Sequence, residues 1–408
     1  MDSVRKKKIT FEISSVVWSK INKLRDQQGY LNKPLEEWFK YITRDVTLKM
    51  LSNEQMERSM RDHGMLDLWM NNFAQNLPYI KGGDKTVLQV PEGSETHTIS
   101  EIASPMPILE GEPNYVTEKD APIGVIRGIN CKHPPKSAAL VIGRGPSVFK
   151  RNHLQILSDA IQKKEFTGQL VIPDGMLIDC LEHNIVPDFV ITVDGSPIIK
   201  KWFDHPLVYK HGKQLKAIMS VTVNNEVYRF VKSQNVKIFW YEPLWDDWRQ
   251  NDSFTRLQRL MTKSKKDPNG IPAAASGGNA GTCCFVMAST VLKLAPVGLI
   301  GIDLGYPEGT KIDETPYFSS YMQMNKENLD IIKQFYEEVY HPFFKTRATI
   351  DHVFCNYRTA IIAMQKANLP WYRLYGGTIN CSEGGTLFGE GITCMWFKDF
   401  IAKYGVRK

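Results

Sequence analysis

The chain has 408 residues, 42% of them hydrophobic, which is enough to bury a large core and to form two or three domains. No apolar run is long enough to cross a bilayer, so the expectation is a soluble, cytoplasmic protein with no membrane span. The net charge of +7 is uneven: residues 1–50 hold eleven Lys/Arg against six Asp/Glu, 11 − 6 = +5, which excludes a basic body able to wrap nucleic acid.

Seven cysteines without a Cys-x-x-Cys pair fit a reducing compartment better than a disulfide framework or a zinc site. In chain order, Lys7 to Ser14 alternates, with Ile9, Phe11 and Ile13 on one face, and reads as a strand. A helix from Val16 to Gln28 stops at Gly29, and a second starts at Asn32-Lys33-Pro34. Strand, helix, turn and helix resemble a ribbon-helix-helix unit over residues 1–50. That resemblance implies a homodimer whose Lys8, Thr10 and Glu12 face DNA bases, although acidic Glu12 suits such a groove poorly. The other reading is a dimerisation or docking element. Residues 51–81 continue as amphipathic helix carrying Leu51, Met65, Leu68, Trp69 and Phe73.

Between 82 and 136 proline, glycine, glutamate and threonine become frequent and periodicity is lost. This reads as a linker laid partly over the next domain through Ile99, Ile102, Ile108, Ile123, Val125 and Ile129. From Ser137 onward apolar strands alternate with helices: Ala138–Ile142, Gln169–Ile172, Phe189–Val193, Leu215–Val221, Val236–Tyr241 and Val297–Ile302. The expected fold class is α/β, a Rossmann-like, mostly parallel sheet with helices on both faces. A small N-terminal β-α-α unit and a C-terminal helical extension complete it. Such sheets bind ligands beyond the carboxyl ends of their strands. At those ends stand Gly143–Ser147, Asp174, Asp194-Gly195, Asn224-Asn225, Glu242 and Asp303.

Two glycine loops organise this region. Gly143-Arg144-Gly145-Pro146-Ser147 joins a strand to a helix with Leu154, Leu157 and Ile161 behind an Asn152 cap, an order that lets backbone N–H groups face a phosphate. It lacks the third glycine of a dinucleotide fingerprint and the Gly-Lys-Ser/Thr of a P-loop, which weighs against a dehydrogenase. The second loop, Ser276-Gly277-Gly278-Asn279, opens the helix Cys283–Leu294, in which Cys283 and Cys284 serve packing. A single pocket between the two loops could hold a nucleotide phosphate and a second anion. The final hundred residues read as a helix Lys326–Tyr340, a break at His341-Pro342, a helix Val353–Ala367, a strand Trp371–Tyr375, a polar glycine turn and a closing helix Met395–Tyr404.

Taken together, Gly143–Ser147, Val193-Asp194-Gly195, Ser276–Gly281 and Ile300-Gly-Ile-Asp303-Leu-Gly-Tyr306 resemble the MptE-like domain over residues 137–310, with residues 311–408 as an extension completing the site. That superfamily joins 6-hydroxymethyl-7,8-dihydropterin diphosphokinases and Maf flagellin glycosyltransferases, and it is similar in fold to sialyltransferases. The extension and the turn Asn380-Cys-Ser382-Glu383-Gly384-Gly385 are similar to the Maf branch and imply an acceptor side there. The resemblance implies that Gly143, Arg144, Gly145, Pro146, Ser147, Asp174, Asp194, Gly195 and Asp303 surround a nucleotide. Ser276, Gly277, Gly278 and Asn279 would receive the donor's anionic group. Tyr306 and Tyr317 would donate hydrogen bonds to a departing phosphate. Pro307–Ser320 lacks the histidine usual in Maf proteins, and His352 is the candidate base.

Three functions follow as expectations. The first is a glycosyltransferase that moves a nonulosonic sugar from a CMP-sugar donor to a hydroxyl acceptor. The second is a diphosphokinase using ATP with Mg²⁺, in which Asp194 and Asp303 are the metal-linked acids. The third is a non-catalytic protein tethered to DNA or to a partner through the N-terminal unit.

Overall fold

The computed structural model describes residue 22 and residues 65–81, 96–110, 130–246, 248–251, 253–325, 328–366 and 370–406. The chain divides into two units, Met1–Gln55 and Met56–Lys408. Asn22 is helical, but the rest of the ribbon-helix-helix expectation lies outside the described residues, as do Leu51, Ile123, Val125 and Ile129. Everything below concerns the second unit.

A 10-stranded sheet forms its centre. Its strands are β1 (His97–Thr98), β4 (Ala139–Ile142), β5 (Gln169–Pro173), β6 (Phe189–Thr192), β7 (Lys216–Ser220), β8 (Lys237–Pro243), β9 (Ala273–Ala274), β10 (Val297–Ile300), β14 (Thr378–Asn380) and β15 (Ile392–Cys394). They run in the order β1-β8-β7-β6-β5-β4-β10-β14-β15, with β9 also on β8, and every pairing is parallel. Strands β4, β6 and β10 are buried along their whole length, which accounts for their mostly apolar sequences without polar alternation. Two apolar layers cover the faces. One contains Leu140, Ile142 and Trp240, and the other contains Val141, Cys283, Cys284 and Leu299. The parallel α/β architecture expected from the sequence is present, and the adjacent cysteines are packing residues. Ile99 is buried and Ile102 packs beside it, but Ile108 lies in a separate ribbon, β2 (Ile108–Glu110) with β3 (Asn130–Lys132), and is 52% exposed. The covering segment also donates β1 to the sheet edge.

Several local expectations change. Asn152 is left-handed (φ 50) and its side chain makes no capping bond; it separates the helix Pro146–Lys150 from His153–Gln162. Helix Lys326–Tyr340 is instead a short helix Leu329–Lys333 followed by strand β12 (Tyr336–His341). That strand pairs antiparallel with β13 (Thr346–Asp351), which pairs on its other side with β11 (Tyr306–Pro307). Cross-strand pairing outweighs the helix tendency of Glu337-Glu338. Trp371–Tyr375 is helical rather than a strand: Pro370 occupies the first helical position, Trp371 and Tyr372 are buried, and Gly376 and Gly377 (φ 98 and 59) turn the chain into β14. The extension is therefore partly strand, and it contributes β14 and β15 to the central sheet.

Candidate active site

Chain order reverses between β4 and β10: β5 to β8 lie on one side of β4, while β14 and β15 lie beyond β10. This is the topological switch point of the sheet, and the Gly143–Ser147 turn stands at it. Gly143 N–H donates to Ile300 O and Gly145 N–H to Gly301 O, each at 2.8 Å. A Cβ on Gly143 would lie 2.4 Å from Gly301 O, so this glycine lets two strand-end turns cross. Ser147 donates its backbone N–H to Asp303 Oδ2 at 2.8 Å and its hydroxyl to Oδ1 at 2.5 Å. The place expected for a phosphate on Ser147 holds the chain's own carboxylate. Burial raises the Asp303 pKa, opposed by those two hydrogen bonds. Pro146 starts the helix. Arg144 turns toward β5, 3.3 Å from Asp179 and over the rings of Trp202 and Phe149.

Farther along the rim, Asp174 is buried, accepts from Gly175 N–H at 2.7 Å, and is pushed up to about 7 chiefly by burial. Asp194 is exposed and accepts from Ser196 N–H at 2.8 Å. Three inter-strand spacings separate the ends of β6 and β10, roughly 14 Å, so Asp194 and Asp303 do not converge on one ion. Among the described residues no group of three metal-ligating side chains forms. Gly195 and Asn225 are occupied by the helix Met65–Ile80: Asn72 Nδ2 donates to Gly195 O and Thr222 O, and Asn76 Nδ2 to Val221 O and Val223 O. Asn225 Nδ2 donates to Asn76 Oδ1 at 2.9 Å.

The second glycine loop meets the tyrosines. Thr282 donates its hydroxyl to Ser276 O and its N–H to Asn279 Oδ1, which ties Ser276–Asn279 to the start of the helix Ala280–Val286. Gly277 and Gly278 have φ of 65 and 95, and a Cβ on Gly278 would lie 2.4 Å from the Tyr357 ring. Tyr357 hydrogen-bonds Tyr317. Tyr317 and Tyr306 both pack on Phe354, with ring centroids 5.9 and 5.1 Å away. Tyr306 donates to buried Asp351 Oδ2 at 2.6 Å, and Asp351 Oδ1 accepts from Phe354 N–H at 2.8 Å. Burial raises the Asp351 carboxyl, and burial with the nearby carboxylate raises the Tyr306 hydroxyl.

The structure thus groups Tyr306, Tyr317 and the Ser276–Asn279 loop. The two glycine loops share one rim, but the Ile302 side chain stands between them: its Cδ1 would be 2.4 Å from a Cβ on Gly143 and 3.0 Å from one on Gly281. The single pocket expected between them is filled at that point. His352, the candidate base, is buried with its ring 6.2 Å from that of Phe335. Sequence reasoning misses Asp351 and Tyr357. The only local signal for Asp351 is a carboxylate at a helix start, which reads as a cap.

The C-terminal turn is fastened to the switch point. Asn380 and Ser382 are fully buried; Asn380 donates to Leu387 O and accepts from Ser382 N–H, so both shape the turn from beneath. Glu383 Oε1 accepts from Phe397 N–H at 3.0 Å and starts the last helix. A Cβ on Gly385 would lie 2.4 Å from Asp303 O, and Thr386 N–H donates to that oxygen. Glu383, Gly384 and Gly385 line a cleft with Ser147 and Asp303.

Residues 114–309 match the family model described as 6-hydroxymethylpterin diphosphokinase MptE-like. Among solved structures, a Maf glycosyltransferase from Magnetospirillum magneticum AMB-1 is similar, with a TM-score of 0.47 and 13% identity. The similarity covers 83% of this chain and 41% of that one, so the chain spans less than half the length of that protein. No curated protein matches the chain.

Proposed function

Because residues 114–309 match the MptE-like family model, we propose that the chain is a nucleotide-dependent transferase acting at the Ser276–Asn279 loop and its tyrosines. The favoured reaction moves a nonulosonic sugar from a CMP donor to a hydroxyl acceptor. The observation that carries this reading is the Tyr357 ring packed at Gly278 and hydrogen-bonded to Tyr317. Displacing a nucleotide from an anomeric carbon builds negative charge on its phosphate, and fixed neutral O–H donors stabilise that charge. Tyr317 supplies such a donor, oriented by Tyr357. Tyr306 already gives its proton to Asp351, so its role differs. Its oxygen can accept the acceptor's proton as its own proton passes to the Asp351 carboxylate. This route replaces His352 as the base.

The family description favours a second reading, transfer of pyrophosphate from ATP to a hydroxymethyl pterin. In-line phosphoryl transfer normally uses Mg²⁺ bridging the phosphates. The separation of Asp194 from Asp303 weighs against their sharing that ion. Calorimetry of the full chain with CMP, a CMP-sugar and ATP with and without Mg²⁺ tests both readings. Binding of CMP compounds is expected. Binding of Mg·ATP with none of CMP would replace the first reading by the second.

A further inference from the structure

Side chains alternate across the three-stranded sheet, placing Tyr306, Thr349 and Asp351 on one face and Pro307 and Ala348 on the other. Pro307 and Ala348 line a cleft of about 260 Å³ that also reaches Ser147 and the Gly384-Gly385 turn and has Tyr306 at its edge. We propose that this cleft is a second anion site, distinct from the Ser276–Asn279 loop with Tyr317 and Tyr357, that takes the phosphoryl group of a small molecule.

Charge placement supports this. Lys150 and Arg151 border the cleft from the helix side, and Lys345 borders it from the β12–β13 turn. Among the described residues Lys150 and Lys345 are in no ion pair, and Arg151 reaches only the Glu383 carbonyl at 3.3 Å. Arg347 also borders the cleft, but its guanidinium is paired with Glu338. The carboxylates are largely engaged: Asp303 holds Ser147, Glu383 holds Phe397 N–H, and only Glu308 is exposed. A second observation comes from behind Glu383. His153 is fully buried with Nε2 3.7 Å from Glu383 Oε1, so this carboxylate already has a partner and offsets the cations of the cleft less. Three separated cations suit a group with several charged oxygens better than a single carboxylate. The volume is below that of pockets for drug-sized ligands, which favours pyrophosphate or a sugar phosphate over a whole nucleotide.

The test is calorimetry of the full chain with inorganic pyrophosphate and, in a second arm, glucose 1-phosphate, for wild type, Lys150→Ala/Lys345→Ala and Tyr317→Phe. Wild type is expected to bind at least one probe, and the arm that binds tells a free diphosphate from a phosphorylated sugar. The double lysine variant should lose about tenfold or more in affinity, about 1.4 kcal/mol. Tyr317→Phe should bind the probe as wild type does, and the lysine variant should keep wild-type affinity for CMP. No binding of either probe, unchanged affinity in the lysine variant, or a loss in Tyr317→Phe would each overturn the proposal. A chain that binds no CMP but binds pyrophosphate through these lysines would leave this site standing while removing the CMP-donor reading.

Discussion

Asp303 sets what the first glycine turn can hold. In the sequence, Gly143–Ser147 reads as a phosphate cradle, because a strand, a glycine turn and a helix start present the same N–H groups to any anion. The structure supplies that anion from 156 residues away. Sequence spacing cannot reveal such a partner. Ser147→Ala removes one buried hydroxyl donor and should cost about 1–3 kcal/mol, read as a lower urea midpoint. Gly278→Ala would drive a methyl into the Tyr357 ring. It is expected to weaken nucleotide binding about tenfold and, because a φ of 95 disfavours any Cβ, to lower the urea midpoint as well. Glu242 offers a pH test. Neither carboxylate oxygen has a hydrogen-bond partner, and burial pushes the group up from 4.5 to about 9. Between those values the unfolded chain has released a proton that the native state retains. Its contribution to stability is therefore full below pH 4.5 and is lost as pH rises through 9. Glu242→Gln should flatten that decline. Melting temperatures of both proteins at about pH 5 and about pH 8 check it, and parallel slopes would refute the assignment.

At the scale of elements, the strands buried on both faces are legible, because a short continuous Val/Ile/Leu run bounded by turns suits a covered parallel sheet. The helix Met65–Ile80 is legible only in part. Its buried stripe is Trp69, Asn72, Phe73, Asn76 and Ile80, whereas Met65 and Leu68 are exposed. Counting apolar residues misses two asparagines that face inward because four backbone carbonyls at the strand ends need donors. Trp69 stacks on Trp245 with centroids 4.1 Å apart, so aromatic contact and amide bonds fix the same helix. Asn72→Ala and Asn76→Ala should each cost about 1–3 kcal/mol by leaving carbonyls unsatisfied. Amide exchange should rise first in this helix, and uniform destabilisation across the sheet would contradict its separate docking. Strand β12 is illegible for the opposite reason. Its pairing with β13 is a tertiary fact, and two consecutive glutamates read locally as helix.

For the molecule as a whole, the excess positive charge of residues 1–50 makes DNA contact a proposal for that segment alone. Substituting Lys8 and Thr10 with alanine in the full chain should lower DNA affinity and reduce its salt dependence; unchanged binding at two salt concentrations would remove the tether. The sheet itself has a history written into its strand order. β10 is flanked by β4 and by β14, which follows it by nearly eighty residues. At the usual pace of translation, a nascent chain waits roughly 4 to 16 seconds before that flank can be covered. Until then a strand with no charged or polar side chain presents open N–H and C=O groups, the template on which stray chains pair. Yield in a cell should therefore depend on chaperone supply during synthesis, more than the finished protein's resistance to urea would suggest.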